Sequence, residues 1–498
     1  GDPDDLFVDD EGEAVRIDKA FSWEYPLAVH GLMHNVITNA WRGDPYKLDT
    51  LLLFMANMAW NSSMNTTKVR EMLVDKDANG DYKIPFLIVC DAFQSETVAF
   101  ADLVLPDTTY LERHDVMSML DRPISEFDGP MDSVRLPVLP PKGDCKPFQD
   151  VLIELGSRLK LPAFVRDDGS RKFRDYPDFI INYESAPGSG IGFLSGWRGK
   201  GGEKFLRGEP NPRQWEMYAK NGCYYHHKLP KSYQYMRNWN KGYLQWSQDH
   251  GMTRYAEPIL IHLYSEVLQK FRLAAEGKSY GRQPPERLRK RVKTHFDPLP
   301  FYSETLESQL VDTQEYPINA ITQRPMAMYH SWDSQNAWLR QIHTYNHLYL
   351  NPKLAEANGI ADGDWVWVES PHGKVKGICK FSEAVEPGTV WTWNAIGKSA
   401  GAWGLGQKAN ESQKGFLLNH VISEELPPCE SGSHMSNSDP VTGQAAWYDV
   451  RVKVYKADDS KPITSPQFRP MKHYPGMEKK RGKMQAYFAG KFRKKAKA

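Results

Sequence analysis

Cysteine is scarce in this chain. Five residues in 498, Cys90, Cys145, Cys223, Cys379 and Cys429, form no CxxC pair and no spacing that suits zinc or an iron–sulfur cluster. A disulfide framework is excluded, and each cysteine reads as a small buried apolar side chain. A reducing compartment follows most simply, with a periplasmic setting as the alternative. Long apolar runs are missing too: no stretch of about twenty such residues occurs, so no membrane span is expected. The acidic opening GDPDDLFVDDEGEAVR lacks the basic start, apolar run and small-residue cleavage site of a secretory signal. Net charge is almost absent at +1, but 13 Lys/Arg face 3 Asp/Glu from Lys456 to Ala498, which leaves the preceding body negative. That basic tail suits an acidic partner protein or an anionic membrane surface, or is simply a solvated end. No recognition motif accompanies it, so nucleic acid is not an expected partner.

What is present falls into four regions. Residues 1–161 read as an α/β domain: the apolar runs Thr50–Met55 and Phe86–Cys90 look like buried strands, and Val98–Leu105 passes from a short helix into a strand ending at Pro106. Asp150–Leu159 has helical spacing, with Val151, Leu152, Leu155 and Leu159 on one stripe. Strands alternating with helices predict a doubly wound, mostly parallel sheet. Residues 162–310 are rich in Gly, Pro and aromatics and read as a loop-rich covering insertion, with a helical stretch near Pro258–Glu276. Residues 311–455 read as a small barrel, with strands Trp365–Ser370, Lys374–Phe381 and Thr389–Asn394 joined by turns at ADGD, SPHG and EPG. Residues 456–498 are the basic tail. The Gly-rich PGSGIG at 187–192 follows no strand and opens no helix, so it is not a nucleotide loop.

Several residues stand where chemistry is expected. Asp91 ends a predicted parallel strand, at the edge where ligands of such sheets bind; its carboxylate can accept two N–H bonds from a guanine edge, or cap a helix. Asn57, with Asn61 behind it, lies in a turn after the first strand, where Asn serves either backbone or ligand. The run Ile321–Asn336 gathers Thr322, Gln323, Arg324, His330 and Ser331, a mixed set of donors suited to a polyanionic diphosphate. His330 by itself reads first as a structural histidine.

The phrases that hold these residues resemble the molybdopterin oxidoreductases of the dimethyl-sulfoxide-reductase type. FLIVCDAFQSETVAFADLVLPDTTYLERHD (Phe86–Asp115) is similar to the family's signature of a strand ending on an acid, a Thr-rich helix and "ADLVLP" followed by Glu, here Glu112. The resemblance implies that Cys90, where Ser is commoner, and Asp91 line a guanosine pocket, and that Arg113 is the basic residue near the cofactor. LFMANMAWNSSMN brings Asn57 to the same cofactor. ITQRPMAMYHSWDSQN is similar to the loop that lies along the pterin and pyrophosphate, with Gln323 in place of a usual Gly. LYLNPKLAEANGIADGDWVWVESPHGKVKG resembles the family's double-psi β-barrel signature, in which Gly359 and Gly363 supply positive φ and Asp362 and Asp364 satisfy turn N–H groups. GTVWTWNAIGKS and NESQKGFLLNH imply cofactor contacts from Trp393, Asn394 and Asn419, and DPVTGQAAWYDVRVKV implies Gln444 and Trp447.

The resemblance further implies molybdenum, or tungsten, held by two pterin guanine dinucleotides. The family's protein ligand to the metal and its four-iron four-sulfur cluster belong to an amino-terminal half that these residues do not include. Around AVHGLMHNVITNAWRGDPYKLDTLLLFMANMAWNSS the chain is most similar to the sulfite-oxidising (sulfite:quinone) branch. The implied partners are the amino-terminal half of the catalytic subunit, together with an iron–sulfur electron-transfer subunit that works with a membrane anchor, and a small oxyanion substrate. The implied location is cytoplasmic and peripheral to the inner membrane, or else periplasmic. Polysulfide, thiosulfate or tetrathionate reductases, formate dehydrogenases and arsenate reductases share the scaffold, and a cofactor-free scaffold protein is the non-enzymatic alternative.

Overall fold

The apolar runs near the start become strands whose uninterrupted character suits burial on both faces. The computed structural model describes residues 2–118, 131–183, 197–199, 209–226, 241–252, 254, 256, 264–278, 281–330, 334, 336–406, 408–427, 434–447 and 450–460. In it β1 (Thr50–Phe54) and β2 (Phe86–Asp91) run parallel, with Leu51 beside Leu87 and Phe54 beside Cys90. β3 (Leu103–Pro106) completes a three-stranded sheet in the order β1-β2-β3. Leu51, Leu53, Leu87 and Val89 pack with Val36, Ile37 and Ala40 of α1 (Val36–Arg42), and with Val69 and Met72 of α2 (Thr66–Met72). Each fully buried aliphatic side chain of this set contributes about 1.5–3 kcal/mol. The described sheet is thus a short open one, smaller than the doubly wound sheet expected.

Contacts divide the chain into two compact units, Gly1–Leu105 with Leu263–Ala498, and Pro106–His262. These boundaries differ from the expected 161 and 310, and the packing shows why. Leu6 and Trp23 share a core with Phe271 of a helix at Glu266–Ala275 and with Leu288 and Val292 of one at Glu286–His295, which ties the amino-terminal segment to the later residues.

Within Pro106–His262, β4 (Asp115–Ser118), β5 (Met131–Arg135) and β6 (Tyr224–His226) form an antiparallel sheet in the order β4-β5-β6. Val134, Ile180 and Tyr218 make its core. The helix α3 (Phe148–Arg158) is where helical spacing predicted it, yet Leu152, Leu155 and Leu159 are exposed and the buried face is Phe148, Ile153 and Gly156. Gly156 decides this: a Cβ there would come within 2.6 Å of the Phe164 ring, so that face packs closer than a leucine stripe could. The stretch 162–310 is also more helical than expected, because its helices, such as Tyr176–Asn182 and Gln214–Lys220, are too short to show a period.

The residues after 311 form a closed barrel. β7 (Ile318–Gln323), β8 (His347–Leu350), β9 (Trp365–Ser370), β10 (Gly373–Phe381), β11 (Thr389–Trp393) and β12 (Val450–Lys456) close in the order β10-β8-β11-β7-β12-β9. β8 with β10 and β7 with β11 are parallel, and the other pairs are antiparallel. Alternate residues of β9 and β12 are buried, the period of a strand with one face on the core. Gly359 and Gly363 take φ of +64° and +85°, and the Asp364 carboxylate accepts from the Ala361 N–H at 2.8 Å, as the turn phrase led one to expect. No helix of the described residues is long and apolar enough to cross a membrane. Cys90 and Cys379 are buried, whereas Cys145 and Cys223 are half-buried, and Cys429 and PGSGIG lie outside the described residues.

Two consequences are measurable. A Cβ on Gly415 would sit 2.0 Å from the Ile396 carbonyl oxygen, an obstacle of backbone that cannot rotate away. Gly415→Ala should therefore destabilise the protein by about 3 kcal/mol in denaturant unfolding, the upper range of overpacking; an unchanged midpoint would contradict the close approach. His34, buried beside Ser436 with Nε2 to Oγ at 2.7 Å, has its imidazole pushed down to about 4 by burial. The unfolded chain then takes up this proton first as pH falls. Stability present above about pH 6.5 is lost towards pH 4, by about 3 kcal/mol for this group, and His34→Gln should flatten that part of the pH profile.

Candidate functional site

Asp91 is the last residue of β2, and the sheet delivers it, with the wholly buried Cys90, to the carboxyl edge. There its carboxylate accepts from the Phe93 N–H at 3.0 Å and the Ser95 hydroxyl at 3.1 Å, which closes a turn and does not cap a helix, the alternative that the sequence offered. Asn57 follows β1 on the same edge. Its amide is engaged by protein: Nδ2 donates to Glu96 Oε2 at 2.8 Å, while Oδ1 accepts from the Thr97 N–H at 3.2 Å and hydroxyl at 2.9 Å. Glu96 in turn accepts from the Ser399 N–H at 2.7 Å. Beside Ser399, burial pushes the Lys398 ammonium below its usual range, and the charges of Glu96 and Asp91 oppose that shift. Gly401 lets this loop lie close, since a Cβ there would be 3.0 Å from Ala99 Cβ, and the Trp403 N–H donates to the Gln94 carbonyl at 3.0 Å. The loop that leaves β11 is therefore bonded onto the segment that leaves β2.

The barrel rim holds the second group. Thr322 and Gln323 end β7 beside Thr392 and Trp393 of β11, and the Asn394 N–H donates to the Gln323 carbonyl at 2.8 Å. Gln323 and Arg324 are exposed, and Thr322 and His330 are half-buried. His330 has φ of +49°, and its imidazole is held below the usual range first by burial and then by the Arg324 charge. Arg324 makes no ion pair among the described residues. Asn394 Oδ1 is buried and accepts from no donor among the described residues. Trp393 meets Trp391 edge-on at 4.7 Å and His343 at 5.5 Å, with Trp391 stacked on Tyr349 at 3.9 Å.

The remaining expected residues are dispersed. Asn419 Nδ2 donates to the carbonyls of Asn61, at 3.2 Å, and Ser63, at 2.8 Å, which fastens it to the turn after β1, where Asn61 Oδ1 is buried without a donor. Trp447 packs on the barrel core, and Gln444 is exposed. Arg113 belongs to the Pro106–His262 unit, where Asp107, at 2.6 Å, and Asp115, at 3.0 Å, engage it. Ser331 lies outside the described residues. Sequence reasoning passed over Glu96 and Lys398. Their signal was a charge set among residues that mostly become buried, SETVAF and NAIGKSA.

A sheet edge bonded through buried charge to a barrel rim, with two basic side chains side by side and an amide oxygen left without a donor, is a frame for a large polar cofactor. Comparison with known families gives the same class. Residues 318–437 match the molydopterin dinucleotide binding domain, and residues 45–158 match the molybdopterin oxidoreductase model. The chain thus carries a molybdopterin oxidoreductase domain and a molydopterin dinucleotide binding domain. It is 78% identical over 495 residues to a sulfite dehydrogenase subunit of Allochromatium vinosum, a match covering 99% of this chain and 51% of that protein. It is 24% identical to the molybdopterin-containing subunit of thiosulfate reductase from Salmonella typhimurium, over 82% of this chain and 46% of that one. The chain thus spans about half the length of these curated relatives. Acetylene hydratase from Pelobacter acetylenicus shares the fold with a TM-score of 0.54 at 21% identity, over 85% of this chain and 46% of that one.

Glu96→Gln tests the node. The substitution keeps the shape but sets an amide N–H against the Asn57 or Ser399 donor and removes a charge facing Lys398. A loss of about 2–3 kcal/mol in unfolding free energy is expected, because a buried charge is left less compensated. A change within about 0.5 kcal/mol, the range of ordinary surface substitutions, would show that Glu96 does not join the two segments.

Proposed function

We propose that this chain is the cofactor-gripping half of a molybdenum oxidoreductase that binds two pterin guanine dinucleotides and oxidises sulfite, with electrons leaving through an iron–sulfur subunit to quinone. The observation that carries the cofactor reading is the barrel rim: Arg324 and His330 lie close enough for one charge to depress the other, no carboxylate of the described residues pairs with Arg324, and Asn394 Oδ1 waits for a donor. Two basic groups left together are stabilised by an anion, and a dinucleotide diphosphate supplies one. The orphan amide oxygen suits an N–H of a pterin or guanine. When bound, the molybdenum cofactor supplies the two-electron change and the site of oxygen transfer. This chain's residues bind and orient it: Arg324 holds negative charge, Thr322 and Asn394 fix the rim, and Asp91 shapes the sheet edge through its turn. The sulfite assignment rests on the name of the 78% identical relative.

The finer features belong to the same reading. The barrel is of the double-psi kind, with its two parallel pairs, β7 with β11 and β8 with β10, as support. The functional regions are those expected at 1–161, 162–310, 311–455 and 456–498. The metal's protein ligand and the four-iron four-sulfur cluster come from an amino-terminal half, and the assembly lies on the cytoplasmic face of the inner membrane. The engagement of Asn57 and Asp91 by protein groups favours a second reading, a scaffold protein without cofactor.

Arg324→Ala separates the two. The side chain is exposed and unpaired among the described residues, so its loss should leave thermal stability unchanged. The enzyme reading expects about tenfold weaker pterin retention, the worth of one charge-assisted hydrogen bond, in the purified complex, alongside about one metal and two dinucleotides per wild-type assembly. A wild-type complex without metal or pterin would establish the scaffold. Sulfite, and not thiosulfate, should reduce the loaded wild-type enzyme.

A further inference from the structure

Arg70, on α2, is treated unlike the other buried cations. Five Lys or Arg side chains are buried among the described residues: Arg70, Arg113, Arg198, Lys376 and Lys398. Arg113 meets two carboxylates, Lys376 meets Asp459 at 2.7 Å, and Lys398 lies in the field of Glu96 and Asp91. Arg198 donates to the carbonyls of Ile180, Ile181 and Tyr183. Arg70, 3% exposed, donates from Nε to the Ala59 carbonyl at 2.6 Å and lies 5.3 Å from the Trp60 ring centroid. It makes no ion pair among the described residues, and its Nη2 is buried without an acceptor. A guanidinium does not lose its proton in a protein, so this charge must be met by something else or be strongly destabilising.

Two neighbours show the same deficit. Trp60 Nε1 can only donate, is wholly buried and has no acceptor among the described residues. His420 packs edge-on against Trp60, ring centroids 5.6 Å apart, and its Nε2 is also buried without a partner. His420 Nδ1 lies 2.9 Å from the Thr67 hydroxyl; with that hydroxyl donating, the ring proton is on Nε2. Burial first, and then the Arg70 charge, hold this imidazole well below its usual range, so it is neutral and offers one N–H. Three N–H groups thus sit on buried side chains that meet at Trp60, with Arg70 on one side and His420 on another, and the Arg70 charge is felt at His420. The nearby Asn61 Oδ1 is an acceptor and does not belong to this set.

We propose that Arg70, Trp60 and His420 form a buried binding site for one small inorganic anion, of the halide or oxyanion class. A water molecule accepts two hydrogen bonds and carries no charge, so it would leave one donor unmet and the guanidinium uncompensated. A single anion answers all three donors and the charge together. The cofactor reading is not needed for this site.

Bromide is the probe. Crystals of the full-length protein in its native assembly, grown without halide and soaked in bromide, should show anomalous density within hydrogen-bonding distance of Nη2, Nε1 and Nε2. In solution, the thermal midpoint of the wild type should rise with bromide against gluconate at constant ionic strength. Arg70→Met should abolish that rise, and Trp60→Phe should shift the bromide response about tenfold to higher concentration, the worth of one hydrogen bond to a charge. If Arg70→Met does not fold, Trp60→Phe decides. A water without anomalous signal, a phosphate of a larger ligand at that position, or the same bromide response in wild type and Trp60→Phe would overturn the proposal.

Discussion

A buried carboxylate needs donors and positive charge in place of the water it has lost, and Glu96 is met in this way from two directions. Asn57 reaches it from the turn after β1, the Ser399 N–H from the loop after β11, and the Lys398 ammonium lies nearby. The residues involved are separated by about forty and about three hundred positions, so the bonds form only when sheet and barrel loop have come together. Apolar packing in either part would tolerate small slips of one element on another. Directional bonds to one carboxylate do not, and they hold the sheet edge and the rim loop in one arrangement.

Seen from this node, the apparent loss of Asn57 and Asp91 to internal contacts has a physical sense. A group that touches a ligand must be held still, and a short polar side chain on a turn is held by its neighbours. Asn57 places Glu96 and Thr97, and Asp91 places Phe93 and Ser95. Both shape the edge. Asn394 Oδ1 and the side chain of Arg324, both without partners among the described residues, are on the rim, where a ligand would supply what the protein does not.

Three of the six barrel strands, β9, β10 and β11, were legible from their own local statements, such as the alternation of β9, the turns at Gly359 and Gly363, and an Asp that meets a turn N–H. β7, β8 and β12 were not read as strands, and the end of β7 reads as part of a loop. β1 and β2 were legible from apolar runs of strand length. The buried face of α3 was not, since a leucine stripe says that a helix is amphipathic but not which side meets the core; Gly156 against Phe164 settled that, and a glycine carries no hydrophobic signal. The extent of the units was hidden for a related reason, because Trp23 packs on Phe271 across some two hundred and fifty residues. Within the site, the turn and loop positions could be named, but not the partners of each amide. Glu96 and Lys398 were passed over, because a single charge says nothing of burial until the fold forms.

The chain's treatment of buried charge also bears on what it needs from outside. Where it can close a charge internally it does so, with Arg113 between two aspartates and Lys376 on Asp459. Where the other buried cations meet carboxylates, several carbonyls or nearby negative charge, one whose Nη2 has no acceptor among the described residues is informative, since evolution of a nearby carboxylate or a switch to an apolar residue would each relieve the cost. Exposed Arg324 can wait in water for a ligand at little cost, because solvent screens it. Arg70 has no such recourse inside the fold, and so the two arginines call for ligands of different kinds: one that exchanges with solvent at the rim, and one that is part of the folded interior.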